Sequence, residues 1–348
     1  PPHASIPSRL MSMRAWQVAE LGEPAEVLRL REVPEPVPGP GQVLVEVAAS
    51  AMNFADSLLC RGEYQVKPPR PFTPGLEVCG RVLATGDGVT SPAVGERVLG
   101  SAALPAGGFA DRALMDASAA FPVPDAVSDV TAAALYIGYQ TSWFALHRRA
   151  NLRPGEHLLV HAASGGVGSS AVQLGKAAGA HVIGVVGGQD KVEVARALGC
   201  DVVIDRKATV GGGPVDLAAA VLEATDGHGA DVVYDPVGGP AFEASTRCIA
   251  FEGRIVVIGF ASGTRQQARL NHALVKNYTI LGLHWSLYLE HTPDLVRQCH
   301  DELLGLAADG RLEPLIAEVV GLEDVPAALG RLTGGGTTGR IVVRPWPP

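Results

Sequence analysis

The stretch VHAASGGVGSSAVQLGKAAG, residues 160–179, decides the fold. An apolar run enters a cluster of small residues at 163–168 and leaves with the pattern of a helix. A glycine-rich turn between a strand and a helix leaves backbone N–H groups exposed at the positive end of the helix dipole. Without side chains in the way, a pyrophosphate can approach closely, which predicts a dinucleotide site. Since Ala163 replaces the first glycine of the usual spacing, close helix–strand packing is the alternative explanation.

The sequence around this turn predicts a parallel sheet. Near-continuous apolar strands alternate with helical stretches from about residue 137 to residue 285, which is typical of a sheet covered on both faces. Before it, residues 14–135 read as short strands broken by Pro and Gly, which predicts an all-β or mixed module that is partly barrel-like. After Trp285, two helices and two strand-like segments are expected to return to that first module.

Composition excludes several classes of protein. The 348 residues are 47% hydrophobic with a net charge of −8. Lys and Arg do not form a basic stripe, which argues against nucleic acid as a partner. No apolar run reaches the length of about 18 residues that spans a bilayer. The first dozen residues lack the apolar core of a signal peptide, so we expect a loose tail with the natural start near Met11 or Met13. Five scattered cysteines without a CxxC pair favour a reducing compartment.

The end of the second predicted strand indicates which dinucleotide binds. An acidic residue about 20 residues after the turn would bind the ribose 2′-OH of NAD. Here the strand ends in Gly187 and Gly188, and Asp190 has the pattern of a helix cap. Lys191 follows, and Arg206 follows the third strand. Cations near the adenosine ribose favour a 2′-phosphate, so the sequence predicts NADPH, although Lys191 is equally consistent with a solvated helix residue.

Several ordered motifs resemble the zinc-independent quinone oxidoreductases, the zeta-crystallin-like branch of the medium-chain dehydrogenase/reductase superfamily. The resemblance covers nearly the whole chain. Its motifs are Gly155-Glu156 with Leu159, the turn 163–168, Gln173 and Lys176, NFADSLLCRGEY (53–64), PFTPGLEVCGRV (71–82), TGDGVTSPAVGERV (85–98), DPVGG (235–239) and LNHALVKNYTILG (270–282).

The resemblance implies an α/β protein with a GroES-like β-rich catalytic domain and a Rossmann domain of doubly wound parallel sheet. We expect the catalytic domain at 13–135, the NADP(H)-binding domain at 136–285 and a return to the catalytic domain at 286–348. It also implies a homodimer, paired through the sheet edge near Tyr278–Trp285. The cofactor-binding residues that the sequence and the resemblance together indicate are Thr141, Ser164, Gly165, Gly166, Val167, Gly168, Gly187, Lys191, Arg206, Gly259 and Phe260.

The residues argue against a catalytic metal. Zinc-dependent relatives carry a Cys in the segment that is Asn53–Ser57 here and a His in a G-H-E motif. This chain has Gly75-Leu76-Glu77, and a leucine has no lone pair for a metal. The four-cysteine structural lobe of those relatives is also missing from the sequence.

Without a metal, protein groups have to stabilise charge on the acceptor. Hydride addition to a conjugated carbonyl places negative charge on oxygen, which needs nearby donors and then a proton. The resemblance indicates Tyr64 and Asn53 as catalytic residues, and Asp56 as either a proton relay or a structural cap. Tyr64 is equally consistent with a wall of the pocket.

The sequence therefore predicts a cytoplasmic NADPH-dependent reductase of quinones or α,β-unsaturated carbonyls, with a small-molecule electrophile as its partner. Three alternatives stay open: a reductase of enoyl or acryloyl thioesters, a non-catalytic NADPH-binding protein of the crystallin type, and a methyltransferase. A CoA thioester needs basic residues near the site, and Arg61, Lys67 and Arg70 near Tyr64 are consistent with this alternative. The missing acidic residue after the second strand argues against the methyltransferase.

Overall fold

The computed structural model describes residues 11–346, so residues 1–10 of the predicted N-terminal tail lie outside the described residues. The last residue of that predicted tail, Ser12, instead begins the strand Ser12–Val18. The chain forms two compact units. The first comprises the chain up to Ala133, Glu318–Gly334 and the chain from Ile341. The second comprises Ala134–Ala317 and Gly335–Arg340.

The first unit is built mainly from antiparallel strands. Its elements are β1 (Ser12–Val18), α1 (Pro24–Val27), β2 (Leu28–Pro34), β3 (Gln42–Ala51), α2 (Phe54–Arg61), β4 (Glu77–Thr85), β5 (Arg97–Ala102), β6 (Arg112–Pro122) and α3 (Asp129–Ala134), with β15 (Ile316–Gly321), α12 (Val325–Thr333) and β16 (Arg340–Arg344) from the end of the chain. The large sheet has the order β15-β16-β3-β4-β5-β6, and an added pairing of β3 with β6 closes four strands into a circuit. The predicted partly barrel-like module is therefore confirmed.

Alternating valines fill the inside of this circuit. Val43, Val45 and Val47 of β3 are fully buried, because successive side chains of a strand point to opposite faces. A second cluster lies between α2, α12 and β16, where Leu59 and Ile341 are buried. This packing fixes the N-terminus of α2, which carries the predicted catalytic residues.

The second unit alternates strands and helices. Its elements are α4 (Ile137–Trp143), β7 (His157–His161), α5 (Gly166–Ala177), β8 (His181–Val186), α6 (Val192–Ala197), β9 (Val202–Asp205), β10 (Thr209–Val210), β11 (Gly213–Pro214), α7 (Leu217–Ala224), β12 (Ala230–Asp235), α8 (Pro240–Cys248), β13 (Ile249–Val257), α9 (Leu270–Lys276), β14 (Thr279–Gly282), α10 (Leu287–His291) and α11 (Pro293–Ala308). A π-helical turn, Phe144–Arg149, continues α4.

The six-stranded sheet of this unit has the order β14-β13-β12-β7-β8-β9, and its pairings are parallel. The strand order reverses at β7, with β8 on one side and β12 on the other. Ligands of open α/β sheets bind outside the carboxyl ends of the strands at such a switch point. The glycine turn that follows β7 lies at this point, so the Rossmann prediction is confirmed in fold and topology.

One predicted boundary differs from the structure. We expected residues 286–348 to return to the first module, but α10 and α11 pack in the second unit. The ring of Tyr288 lies 4.2 Å from that of Phe144, and His300 of α11 lies 6.4 Å from Tyr136, between ring centroids. The sequence of α11 has an apolar face but does not indicate which of the two units that face packs against. Only the tertiary packing decides this.

Among the described residues, none of the helices has the length and apolar character needed to cross a membrane.

Candidate active site

The glycine turn presents backbone amides to the crevice at the end of β7. The chain leaves β7 through Ala162, whose φ is 49°, and Gly165 becomes the N-cap of α5 in extended conformation. No side chain caps this helix end. The amides of the first turn, from Gly166 onward, therefore keep their donors for a ligand, as a phosphate-binding helix terminus requires.

The two motif glycines have different physical reasons. A Cβ at Gly168 would lie 2.0 Å from the carbonyl oxygen of Ala162, so only glycine allows α5 to approach the turn this closely. A Cβ at Gly165 would lie 3.1 Å from the same oxygen, a tight contact but not an overlap. Close helix–strand packing therefore explains the glycine at 168. At 165 packing does not require a glycine, and the missing side chain leaves room for a ligand beside the turn.

Cationic groups lie at the end of β8 and β9. A Cβ at Gly187 would lie 3.0 Å from an Nη of Arg206, so the guanidinium occupies the space that a side chain at 187 would fill. Asp205 Oδ1 accepts hydrogen bonds from the amides of Gly188 (2.8 Å) and Lys207 (2.9 Å). Because this carboxylate is turned to the backbone, the cation at Arg206 dominates the tip of β8.

Lys191 lies in the short helical turn that follows Gly188. Its Nζ donates to the carbonyl oxygen of Gly335 at 2.6 Å. An ammonium group has three donors, so this contact leaves it able to hold an anion as well. Lys191 thus follows the Gly187–Gly188 tip in the chain, and the Arg206 guanidinium lies beside Gly187.

Of the other predicted cofactor residues in the same unit, Thr141 lies on α4, and Gly259 and Phe260 follow β13. Thr141 is partly exposed on α4, and the adjacent Ser142 is bound to Ser170 Oγ at 2.8 Å. Phe260 follows β13 and lies under the Arg265 guanidinium, 5.4 Å from its ring centroid. The carbonyl oxygen of Gly259 accepts from Gln266 Nε2 at 2.7 Å. The loop after β13 is therefore held at the carboxyl edge of the sheet.

In the first unit, Asn53 caps α2 and is anchored by two acceptors. Its Nδ2 donates to Glu77 Oε2 at 3.0 Å and to the carbonyl oxygen of Ala51 at 3.2 Å. Both amide hydrogens are thus committed, and a ligand can be bound only through Oδ1 as an acceptor. This geometry favours an acceptor role for Asn53 over a donor role.

Asp56 is fully buried and binds three backbone amides. Oδ2 accepts from the N–H of Asn53 at 2.8 Å, and Oδ1 accepts from those of Gly75 (3.0 Å) and Leu76 (3.1 Å). Burial raises the pKa of this carboxyl to about 6, against the lowering effect of the three hydrogen bonds. The arrangement favours the structural cap over the proton relay, because the carboxyl connects α2 to the loop that precedes β4.

Tyr64 follows α2 and packs against the cluster that contains Leu59. Burial, with the charge of Asp56 as a smaller contribution, raises the pKa of its phenol. The hydroxyl therefore stays protonated at neutral pH and can donate a hydrogen bond. Leu76 packs against the same cluster, so an apolar side chain fills the position of the zinc-ligating His.

Comparisons with known proteins agree with both units. A family model described as the alcohol dehydrogenase GroES-like domain matches residues 39–125, and one described as zinc-binding dehydrogenase matches residues 166–301. A quinone oxidoreductase-like protein 2 homolog of Nematostella vectensis is 38% identical over 97% of this chain and 90% of its own length. The chain belongs to the quinone oxidoreductase family. This family is the zinc-independent branch of the medium-chain reductases.

Two solved quinone oxidoreductases have the same fold. That of Pseudomonas syringae pv. Tomato matches with a TM-score of 0.88 and 34% identity, over 96% of this chain and all (100%) of its own. That of Escherichia coli, complexed with NADPH, matches with a TM-score of 0.87 and 30% identity, over 95% and 100% respectively.

The chain brings two further residues to the site, and sequence reasoning missed the contacts that each of them makes. Arg340 is only 3% exposed, and a Cβ at Gly166 would lie 3.1 Å from its Cδ, so a cation is buried beside the first turn of α5. The preceding Gly339 donates its amide to the carbonyl oxygen of Ser164 at 2.7 Å. The second residue is Glu77, which holds Asn53. No local pattern marks either residue, because each partner lies far away in the chain.

Proposed function

We propose that this protein reduces quinones or other α,β-unsaturated carbonyls with NADPH and without a catalytic metal. The observation that carries the proposal is the Arg206 guanidinium over Gly187, beside a glycine turn with uncapped amides. These groups fit the two phosphate regions of the cofactor: the amides fit a pyrophosphate, and the guanidinium fits a 2′-phosphate. NADPH bound there would supply the hydride.

The residues of the first unit supply hydrogen bonds and the proton in this proposal. Tyr64 donates its O–H to the oxyanion that develops on the acceptor, since its raised pKa keeps the proton on the phenol. Asn53 accepts a hydrogen bond from a ligand hydroxyl through Oδ1, while Glu77 fixes its orientation. Asp56 holds the amides of Gly75 and Leu76 and so maintains the loop around them.

Cofactor preference gives a direct prediction. Arg206→Ala and Lys191→Ala should each weaken NADPH binding about tenfold to a hundredfold, because each removes a charge-assisted contact worth roughly 1.5–3 kcal/mol. NADH binding should change little. Titration of both cofactors by fluorescence measures the effect. Arg196→Ala, which removes an exposed guanidinium paired with Glu193 on α6, is the control. Equal losses for NADH and NADPH would show that neither cation reads the 2′-phosphate.

A panel of acceptors tests the reaction itself. Quinones, enones and enoyl-CoA thioesters should be assayed with NADPH in the presence of EDTA, and oxidation of NADPH followed. Turnover of quinones or enones supports the proposal. A strong preference for thioesters would assign the chain to thioester reduction. NADPH binding without turnover of any acceptor would leave the crystallin-like alternative.

We also propose a homodimer that pairs through β14. This strand is the edge of the parallel sheet, and an unpaired edge invites pairing with another chain. Beside it, α9 exposes Leu270 (76%), Leu274 (76%) and Val275 (73%). Light scattering at micromolar concentration should give the mass of two chains. Leu274→Asp should shift it toward one chain, whereas Val210→Asp, at a valine 66% exposed elsewhere in the unit, should not. A wild-type monomer would contradict the dimer.

The cytoplasm is the proposed location. All five cysteines are free and buried, so the fold holds thiols rather than disulfides, which favours a reducing compartment.

A further inference from the structure

Three side chains with metal-binding atoms meet at the amino ends of the parallel strands. They are His157, the first residue of β7, Asp231 in β12, and His228 in the turn before β12. His228 Nε2 lies 2.8 Å from Asp231 Oδ1, and His157 Nδ1 lies 3.5 Å from Asp231 Oδ2. One ligand atom from each residue falls within 4.8 Å of the other two. Among the residues that the structure describes, no other group of at least three His, Cys, Asp or Glu side chains has this spacing.

The backbone holds this cluster in place. β7 and β12 are adjacent parallel strands, and the amide of His157 donates to Asp231 Oδ2 at 2.8 Å. The turn that carries His228 is fixed by two bonds to Thr225: the His228 amide donates to its carbonyl oxygen at 2.9 Å, and the Gly229 amide donates to its Oγ1 at 2.8 Å. The three ligand groups thus come from two strands and a turn of defined geometry.

The surrounding charges are balanced. Asp231 Oδ2 accepts a hydrogen bond from the His157 amide, and Oδ1 lies against His228 Nε2. Arg254 Nη1 donates to the carbonyl oxygen of Asp231 at 3.1 Å, and this guanidinium is already paired with Glu156 at 2.9 Å. The ring of His181 stacks on that of His157 at 5.5 Å between centroids. A carboxylate and two imidazoles therefore lie close together, and the nearby guanidinium of Arg254 is paired with Glu156.

We propose that His157, His228 and Asp231 form a binding site for one divalent transition metal of the zinc class. Two imidazole nitrogens and a carboxylate oxygen are a ligand set that zinc accepts, with water completing the tetrahedron. A bond length of about 2.0–2.1 Å places neighbouring ligand atoms about 3.4 Å apart. The separations of Asp231 from His228, 2.8 Å, and from His157, 3.5 Å, lie on either side of that value. The His228 side chain is 53% exposed and therefore lies open to solvent. The metal replaces the hydrogen bond between His228 and Asp231.

This site is separate from the predicted cofactor site. It lies at the opposite end of β7 from the glycine turn, and the five residues of this strand span about 13 Å. A metal here takes no part in hydride transfer. It ties the turn after α7 to β7 and so stabilises the sheet of the second unit.

The test is zinc binding, measured by competition with a chromophoric chelator on the full chain. Wild type should bind one zinc ion per chain with micromolar affinity, and its thermal midpoint should rise with added zinc. His228→Gln keeps a hydrogen-bonding group beside Asp231 but removes the imidazole, so it should lose at least tenfold in affinity and the thermal shift. His228→Ala should lose as much, and Asp231→Asn should also weaken binding.

The matched control is His291→Ala, at an exposed histidine in the same unit, which should bind zinc as wild type does. Equal zinc affinity of wild type and His228→Gln would overturn the proposal. A wild type that binds no zinc at a concentration 100-fold above the expected micromolar dissociation constant would also overturn it. Because His228 lies on an exposed turn, His228→Gln and His228→Ala should both fold. Thermal midpoints close to that of wild type, measured without zinc, verify this.

Discussion

Tyr64→Phe should lower kcat for enones by about 10²–10³, with NADPH affinity unchanged. One lost hydrogen bond to a developing oxyanion is worth about 2.7–4 kcal/mol in a site that excludes water. Quinone reduction should fall less, because its product anion is delocalised and needs less stabilisation. Burial raises the pKa of the Tyr64 phenol, so the wild-type group is a donor across the neutral range.

Single-turnover oxidation of NADPH with one acceptor of each kind measures this effect. Asn53→Ala is the comparison variant, since its loss should slow both acceptors alike through positioning. Wild-type rates in Tyr64→Phe with both acceptors would reduce Tyr64 to a wall of the pocket. The proton would then come from water or another group, and Asp56 would be the next residue to replace.

Asp56→Ala should destabilise the protein by about 3 kcal/mol or more. The change leaves three amides, those of Asn53, Gly75 and Leu76, without their acceptor, and each buried unpaired donor costs about 1–3 kcal/mol. Urea unfolding measures the loss, with Asp125→Ala, at an exposed aspartate of the same unit, as the control. A variant that keeps full stability but loses its rate with enones would instead support the proton relay.

The same carboxyl predicts a pH dependence. Burial raises its pKa from 3.8 to about 6, so the folded state favours the protonated form. The stabilising contribution of Asp56 is therefore complete below about pH 4, declines as the pH rises toward 6 and is constant above it. The difference in unfolding free energy between wild type and Asp56→Asn, followed from pH 4 to pH 7, should show this decline. An increase over that range would contradict the raised pKa.

Local sequence determined the elements and their class. The strand, glycine turn and helix of 157–177 follow from apolar runs and from residues without side chains, because such preferences act over a few neighbours. For Asp56 the sequence left a proton relay and a structural cap open, and the carboxyl binds the amide of Asn53 three residues before it. The alternation of apolar strands with helices then predicted the parallel sheet, and short strands broken by Pro and Gly predicted the partly barrel-like module.

Only the tertiary structure decided which distant groups meet. Arg340 lies beside Gly166, Glu77 holds Asn53, and α11 packs against α4 rather than in the first unit. The cluster of His157, His228 and Asp231 arises in the same way, because parallel pairing brings β7 next to β12. These contacts join residues dozens to well over a hundred positions apart. No local preference encodes them, since they follow from the packing of whole apolar faces and from the pairing order of strands.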